Sequence, residues 1–503
     1  MNFSILGNMR EAEDHSELFQ DLNLDALVKD INEGMEDYDV APLFRRLPKT
    51  KRDVTYRQEL LQEIDKEFEI ELWEFHHAIK RAKATEQELE EMENTSSAAH
   101  WHLLAAYTYF SALERLVTYV EKRAPKSQGW QEFVRVFREK MTEPEVVRLQ
   151  EKVTSTYEAI SELRYSFRIE GDHVAILPRI VEEDFLGEMV EKYPHMFPSP
   201  NTIPNLLPGS LESTKLEERL YRYLKKKHPD VFRNVESFRQ ERPTFFHEDV
   251  LRFHEEISFY LAYMKFYRYM TNSGYDFCFP SFVETRMSVK DGYDLVLAYQ
   301  NQLQGKTTIS NDYYYEAKER FFIVTGPNQG GKTTFGRSVG QLVYFALLGF
   351  PVPAREAKLP YFDGVMTHFS VEESMESGRG KLKEELVRLS DMMQGEKRRQ
   401  FVIINELFTS AATFDALEMG HRVIQYFMDR ECYGIYVTHV DELAKENAQI
   451  VSMVAQLVEN ADHRLMRSYK VVRKPAEGKG YVESIVEQYG LGYHDIVRRL
   501  GHV

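Results

Sequence analysis

Eight consecutive residues in the C-terminal half of the chain, Gly326 to Thr333, have types and spacing that suit phosphate binding. They read GPNQGGKT and fit the Walker A pattern, with glycines at its first and sixth positions followed by Lys and Thr. The backbone N–H groups of a glycine-rich turn can point inward together because no side chains block them. We therefore expect Lys332 to reach the outer phosphates of ATP and the Thr333 hydroxyl to help hold Mg²⁺.

Glycine-rich turns also occur by chance, so the elements around this one matter. Phe321 to Val324 is an apolar run typical of a short buried strand, and the apolar stretch from Val339 to Leu348 suits a helix. The positive end of that helix would lie under the phosphates. The order of strand, turn and helix favours a nucleotide site over a chance turn. The residues predicted to bind ATP are Gly326, Pro327, Asn328, Gln329, Gly330, Gly331, Lys332, Thr333 and Thr334.

A second apolar run, Phe401 to Ile404, is followed directly by Asn405 and Glu406. This is the position of a Walker B motif, in which an acidic residue usually holds Mg²⁺ through water. The Asn405 amide oxygen can accept a hydrogen bond from a metal-bound water, but it brings no charge. Glu406 is predicted to be the general base that aligns the attacking water. The alternative is an ordinary strand end without a catalytic role.

A third apolar run, Gly434 to Val437, ends in Thr438 and His439. Most lone histidines are structural, but a polar pair in this place after a Walker B motif favours a functional role. We predict that His439 contacts the γ-phosphate. The predicted catalytic residues are therefore Glu406, His439 and Lys332.

Composition limits the class of protein. The chain has 503 residues and a formal net charge of −16, and this length suggests about two to four domains. The acidic balance argues against nonspecific coating of nucleic acid, although a local basic patch can still bind it. Cys278 and Cys432 are the only cysteines, which suits a reducing compartment. No apolar run approaches the ~18 residues of a membrane span, so we expect a cytoplasmic protein without a membrane partner.

The first half of the chain has the apolar spacing of helices, at residues 1–83 and 84–272, with a small hairpin predicted near 166–177. One helical stretch is predicted over Thr55 to Lys83. Its apolar stripe is expected to be core: Leu60, Leu61, Ile64, Phe68, Leu72 and Phe75.

The second half, residues 273–503, alternates short apolar runs with helical stretches. We take Leu295 to Tyr299 as one of the strands in this alternation, together with the three runs described above. Such alternation predicts an α/β domain with a parallel sheet.

Taken together, the motifs resemble the ATPase domain of the MutS family, relatives of the ABC ATPases. The stretches that carry the resemblance are GPNQGGKTT at 326–334, LGFPVPAREAKL at 348–359, NELFTSAATFDAL at 405–417, THVDEL at 438–443 and SYKVVRKPAEGKGYVESIVEQYGL at 468–491. The resemblance is weaker in the N-terminal half, at DLNLDALV and TYRQELLQEI. It implies an α/β P-loop ATPase domain of the ABC/MutS type at 273–503. An all-α region would precede it, with a core segment at 1–83 and lever and core helices at 84–272.

The resemblance also implies a homodimer with two composite ATP sites. Each subunit would cover the γ-phosphate of the other with a signature turn, here Gly378, Arg379 and Gly380 at the start of a helical stretch. Asp415 has the place of the acidic residue that communicates across the dimer. Lever helices would close around DNA and open again with nucleotide state, because γ-phosphate contacts exist in only one state.

The chain departs from the family pattern in several places. The mismatch-recognition and connector domains are expected to be missing, so direct mismatch sensing is not predicted. Asn405 stands where the family has Asp, and Gly380 where the signature has Ser. Phe408 and Ser410 replace the usual glycines after Walker B. The sequence is identified as a short, divergent MutS-like subfamily.

Two functions stay open. The first is an ATPase that acts as a DNA clamp in DNA repair or related transactions. Its candidate DNA contacts are Lys225 to Lys227 and the group Arg464, Arg467 and Lys470. The second is an ATP-gated interaction module that binds a protein or ribosomal partner rather than free DNA, which the acidic balance motivates. A P-loop kinase is disfavoured, because kinases lack the Thr-His pair after Walker B.

Overall fold

The fold is that of a computed structural model. It describes residues 3–11, 16–33, 35, 38–91, 97–163, 165–170, 173–178, 215–241, 244–316, 318–370, 381–394, 398–409, 411–445, 448–459, 465–476 and 496–497. The chain folds into two compact units. The helical unit comprises Met1–Leu6 and Glu59–Leu261, and the sheet unit comprises Gly7–Gln58 and Ala262–Val503. Within the described ranges, no helix has the length and apolar character needed to cross a membrane.

Most of the helices precede the strands along the chain. The helices are α1 Ser16–Asp21, α2 Leu24–Glu33, α3 Ala41–Phe44, α4 Lys51–Gln62, α5 Lys66–Glu91, α6 Ala98–Lys122, α7 Gln128–Met141, α8 Pro144–Ser161, α9 Lys215–Lys227, α10 Pro229–Glu241, α11 Glu248–Asn272, α12 Leu295–Leu303, α13 Lys332–Leu348, α14 Lys381–Met393 and α15 Thr413–Met428. The strands are β1 Tyr165–Glu170, β2 His173–Pro178, β3 Ser281–Val283, β4 Met287–Gly292, β5 Asn311–Tyr315, β6 Phe321–Thr325, β7 Glu356–Pro360, β8 Gly364–Phe369, β9 Gln400–Asn405, β10 Tyr433–Val437, β11 Ile450–Glu459 and β12 Leu465–Arg473.

In the helical unit, the long helices α5 and α6 pack against each other, and β1 pairs antiparallel with β2. The structure divides the predicted helix over 55–83 in two, because α4 ends at Gln62 and α5 begins at Lys66. Between them, the Asp65 carboxylate accepts a hydrogen bond from Phe68 N at 2.9 Å, which caps a new helix. The predicted apolar stripe is confirmed as core, since its members are all buried: Leu60, Leu61, Ile64, Phe68, Leu72 and Phe75.

The sheet unit contains a six-stranded sheet in the order β12-β11-β6-β10-β9-β8. Strands β11, β6, β10, β9 and β8 are parallel to one another, and β12 is an antiparallel edge strand. Every residue of β6, β9 and β10 is buried. Parallel strands covered on both faces read as continuous apolar runs, which is why the sequence revealed these three. The predicted α/β domain after a helical region is confirmed at the level of a mixed sheet.

The prediction of a strand at Leu295 to Tyr299 is wrong, because these residues begin α12. The Asp294 carboxylate caps this helix and accepts a hydrogen bond from Leu297 N at 3.0 Å. A short apolar run has no period that separates a strand from a buried helix. A second, four-stranded sheet, in the order β3-β7-β4-β5, lies in the same unit.

The N-terminal segment Gly7–Gln58 belongs to the sheet unit and packs on α13. The Tyr344 hydroxyl donates to Phe44 O at 2.7 Å, and the buried guanidinium of Arg57 donates to Leu348 O at 3.1 Å. The helix that follows the glycine-rich loop is therefore held by the first part of the chain. The predicted domain borders after residues 83 and 272 stay predictions about family domains.

Two histidines are buried together in the helical unit. The ring centroids of His76 and His254 are 4.7 Å apart, and His254 Nε2 donates to His76 O at 3.1 Å. Burial, and after it the nearby His76 and Lys83, hold the pKa of His254 well below its ordinary value. A base with a lowered pKa in the folded state contributes stability above its unfolded pKa, and that stability is lost as the pH falls.

We expect the helical unit to lose stability below about pH 6.5, because the unfolded chain then binds a proton that folded His254 does not. The free energy of unfolding should fall by about 1.4 kcal/mol per pH unit for such a group. Thermal unfolding between about pH 7.5 and pH 5.5 measures this slope. His254→Gln should flatten it, whereas His228→Gln, at an exposed position, should not. Equal slopes for wild type and His254→Gln would contradict the expectation.

Candidate active site

The glycine-rich loop joins β6 to α13. Gly326 and Gly331 have φ angles of 119° and 95°, in the left-handed region that favours glycine. At Gly326 there is also little room, because a Cβ there would lie 3.0 Å from Ala455 O and 3.1 Å from Ala455 Cβ. Both glycines of the sequence pattern are thus explained by backbone conformation, and the first also by the close approach of β11.

Lys332 is the first residue of α13 and is 4% exposed. Its ammonium donates to Gly326 O at 2.8 Å and to Pro327 O at 3.1 Å. Burial lowers the pKa of Lys332, and the nearby carboxylates of Glu406 and Asp441 act in the opposite direction. The ammonium is therefore held inside the loop, at the place where the sequence predicts a phosphate contact.

Glu406 follows the last residue of β9 and pairs with His439, which follows β10. His439 Nε2 lies 3.0 Å from Glu406 Oε1. Because a carboxylate only accepts, the imidazole nitrogen donates in this bond. The Glu406 backbone N–H donates to Val437 O at 2.9 Å, which ties the two strand ends together. The sequence predicted separate roles for these side chains, and the structure joins them.

Asn405, the last residue of β9, is 8% exposed. Within the described part of the chain, its Oδ1 is a buried atom without a hydrogen-bond partner. A buried acceptor without a donor costs about 1–3 kcal/mol, so this oxygen is suited to receive one from a bound species. A water on Mg²⁺ is such a donor, and the residues present therefore fit the predicted ion.

A cavity of about 500 Å³ lies beside the loop, within the range of ligand sites. Its lining joins predicted residues to residues that the sequence did not indicate: Asp294, Leu297, Asn301, Lys306, Thr307, Ile309, Asn311, Gln329, Gly331, Lys332, Thr333, Thr334, Phe335, Ser338, Glu406 and Tyr469. Tyr469 lies on β12, has a φ of 57° and is 50% exposed. Asn311 fixes that strand, since its Oδ1 accepts from Val471 N at 2.7 Å.

Some predicted site residues are not in this lining. The predicted signature residues, Gly378, Arg379 and Gly380, lie outside the described residues. Asp415 lies in the first turn of α15 and is exposed. Four predicted ATP-binding residues, Gly326, Pro327, Asn328 and Gly330, belong to the loop but are absent from the described lining. The motif strings alone gave no sign of Ile309 or Tyr469, although Tyr469 lies within a stretch that carried the resemblance.

The family resemblance is confirmed by comparison with known proteins. Residues 322–497 match the model of MutS domain V. The chain is 29% identical over 171 residues to the DNA mismatch repair protein MutS of Thermotoga sp. (strain RQ2), covering 34% of this chain and 21% of that protein. It is 26% identical over 226 residues to the protein of that name from Streptococcus gordonii, covering 44% of this chain and 26% of the other. The chain thus spans about a quarter or less of these relatives.

Two glycines allow backbone strain to be separated from crowding in the loop. Gly326→Ala should destabilise the fold by about 1–3 kcal/mol more than Gly274→Ala. Both positions have a left-handed φ, but an added Cβ at Gly274 meets no atom within 4 Å among the described residues. Chemical denaturation of both variants measures the difference. Equal losses of unfolding free energy in the two variants would mean that Ala455 of β11 does not crowd a side chain at position 326.

Proposed function

From the match of residues 322–497 to MutS domain V, we propose that the chain is a Mg²⁺-dependent ATPase acting as a dimeric, nucleotide-switched DNA clamp in DNA repair or related DNA transactions. One observation carries the proposal, namely the meeting of three predicted groups at one edge of the sheet. They are the buried ammonium of Lys332, the amide oxygen of Asn405, which has no partner among the described residues, and the Glu406–His439 pair. Direct mismatch sensing is not part of the proposal.

Phosphate binding would use the loop first. Lys332 would exchange the carbonyls of Gly326 and Pro327 for oxygens of the outer phosphates, and the start of α13 would add its positive end. Thr333 and Asn405 would hold Mg²⁺, partly through water. When bound, the ion neutralises charge that develops on the phosphate oxygens.

Hydrolysis would use the pair at the ends of β9 and β10. The Glu406 carboxylate would orient the attacking water and take its proton. The hydrogen bond from His439 Nε2 to Oε1 would hold that carboxylate in one orientation. His439 would therefore act on the water through Glu406, in addition to the γ-phosphate contact predicted from the sequence.

The base of the nucleotide would occupy the same cavity. Ile309 and Tyr469 line that space, and an apolar side chain with an aromatic one suits the faces of a purine. Tyr469 lies next to the phosphate loop, because a Cβ at Gly331 would be 3.6 Å from the Tyr469 backbone. This arrangement supports a single ligand whose phosphates and base are held side by side in one cavity.

The dimer in the proposal rests on the family and on an exposed face. Phe414, beside Asp415 at the start of α15, is 77% exposed, which is unusual for a large aromatic side chain. The predicted signature turn, Gly378 to Gly380, would complete the site of the second subunit. We assign Phe414 and Asp415 to the surface that a second copy covers when ATP is bound.

The candidate DNA contacts include lysines in each of the two units. Of the candidate lysines at the end of α9, Lys226 and Lys227 are exposed, and Lys225 is paired with Glu236. A second sequence candidate, Lys470, contacts the Ser310 carbonyl beside the cavity. DNA binding is therefore tested through its effect on the rate of ATP turnover.

Lys332→Ala should lower ATP turnover by at least about 100-fold, because it removes the charge at the outer phosphates. Turnover should be measured with and without mismatched, branched and single-stranded DNA. We expect at least one DNA form to change the wild-type rate. The matched control is Lys318→Ala, which removes an exposed lysine and should leave the rate unchanged.

The outcomes separate the two parts of the proposal. A Lys332→Ala rate equal to the wild-type rate would overturn the ATPase. A wild-type rate that depends on Lys332 but ignores every DNA form would overturn the clamp, and the ATP-gated protein-binding function would take its place.

Phe414→Glu should abolish ATP-dependent dimerisation, because it places a charge in a face that would be buried. The measurement is molar mass by light scattering with ATP, in a Glu406→Gln background that should retain the nucleotide. The control is Leu303→Glu, since Leu303 is 62% exposed elsewhere in the sheet unit. A Phe414→Glu protein that dimerises like the control would exclude this face.

A further inference from the structure

Glu385 is a buried carboxylate in α14, and it is 3% exposed. Its Oε2 accepts a hydrogen bond from Phe408 N at 3.1 Å, and its Oε1 accepts one from Ser370 Oγ at 3.3 Å. The carboxylate thus reaches the backbone two residues after Glu406. No motif in the sequence indicated this residue.

The backbone that Glu385 holds has an unfavourable conformation. Glu406 and Phe408 have φ angles of 55° and 64°, and left-handed residues other than glycine cost of order 1–3 kcal/mol each and persist only where surroundings fix them. Hydrogen bonds from neighbouring elements help fix this turn, and three of them are Glu406 N to Val437 O at 2.9 Å, Phe408 N to Glu385, and Tyr436 Oη to Leu407 O at 3.4 Å. Of the three, the Glu385 contact is the one made by a side chain with charge.

Helix α14 is also held at the end of β8. His368 Nε2 donates to Glu385 O at 3.2 Å, and one turn later Arg388 donates to Phe369 O at 3.0 Å. Strand β8 pairs with β9, with Phe369 opposite Asn405. A shift of this helix would therefore displace the end of β9. That end carries Asn405, the candidate metal contact, and is followed by Glu406, the candidate base.

The helix begins at Lys381, directly after the predicted signature residues. We propose that Glu385 is a positioning residue that sets the orientation of Glu406 and makes it respond to the helix that follows the signature turn. Contact of that turn with the nucleotide of a second subunit would then alter hydrolysis in the subunit that supplies it. The inference rests on the proposed function and adds a route by which one site affects the other.

The test is a set of Glu385 variants with a matched control in the helical unit. Glu256 has the same chemistry, because it accepts from Ser4 Oγ and Ile5 N, both at 2.8 Å. Glu385→Leu should lower kcat for ATP by about 10- to 100-fold, as displaced catalytic groups do, with KM changed little. Glu385→Gln keeps an acceptor oxygen and should recover most of kcat. Glu256→Leu should leave kcat unchanged.

Hydrogen exchange at the Phe408 amide gives a readout that does not depend on turnover. Exchange should speed up in Glu385→Leu and remain slow in Glu385→Gln and Glu256→Leu. If the leucine variant does not fold, Glu385→Asp carries the test, because it keeps the charge and withdraws the acceptor from Phe408. In a Glu406→Gln background, removing Glu385 should cause no further loss of kcat.

The outcomes distinguish this inference from the proposed function. Wild-type turnover no higher than that of Lys332→Ala would overturn the proposed function and the inference with it. Normal wild-type turnover with an unchanged kcat in Glu385→Leu, or in Glu385→Asp where the leucine variant does not fold, would overturn the inference alone. An equal fall in Glu256→Leu would show that lost stability explains the effect, and would also overturn it.

Discussion

The parallel pairing of β6, β10 and β9 is the constraint on which the candidate site depends. It places Val437 opposite both Val324 and Asn405, so three strands end at one edge. Residues distant in sequence meet there without any long loop. Because these strands are buried on both faces, most of their side chains are fixed by the core, and the residues at or just beyond the end of each strand are available for chemistry.

The turn after β9 shows how this chain replaces a glycine. The resemblance places a glycine at Phe408, and the structure gives Phe408 the left-handed φ of 64° that glycine would adopt freely. The ring is 1% exposed, so burial of an aromatic side chain offsets part of the backbone cost. Hydrogen bonds to the turn offset the rest of the cost of this backbone conformation. Phenylalanine in place of glycine is thus compatible with a left-handed backbone at this position.

The sequence was informative where local chemistry decides structure. The strand, loop and helix around Lys332 follow from an apolar run, glycines and a helical pattern, and the structure has them in that order. It was less informative at Leu295 to Tyr299, where an apolar run suits either a strand or a buried helix. The Glu406–His439 bond and the place of Tyr469 beside the loop depend on strand order. Strand order is a tertiary property that no single stretch encodes.

Asn405 shows how far a changed residue alters a site. An amide in place of a carboxylate removes a charge that would attract a cation, so affinity for Mg²⁺ should be weaker. An acceptor oxygen is still present, and this Oδ1 is buried and has no donor among the described residues. An amide oxygen left in that state gains a full hydrogen bond when a metal-bound water arrives. In the proposed function, relief of an unsatisfied acceptor would therefore offset part of the lost electrostatic attraction, and the site would hold the ion through water without the carboxylate.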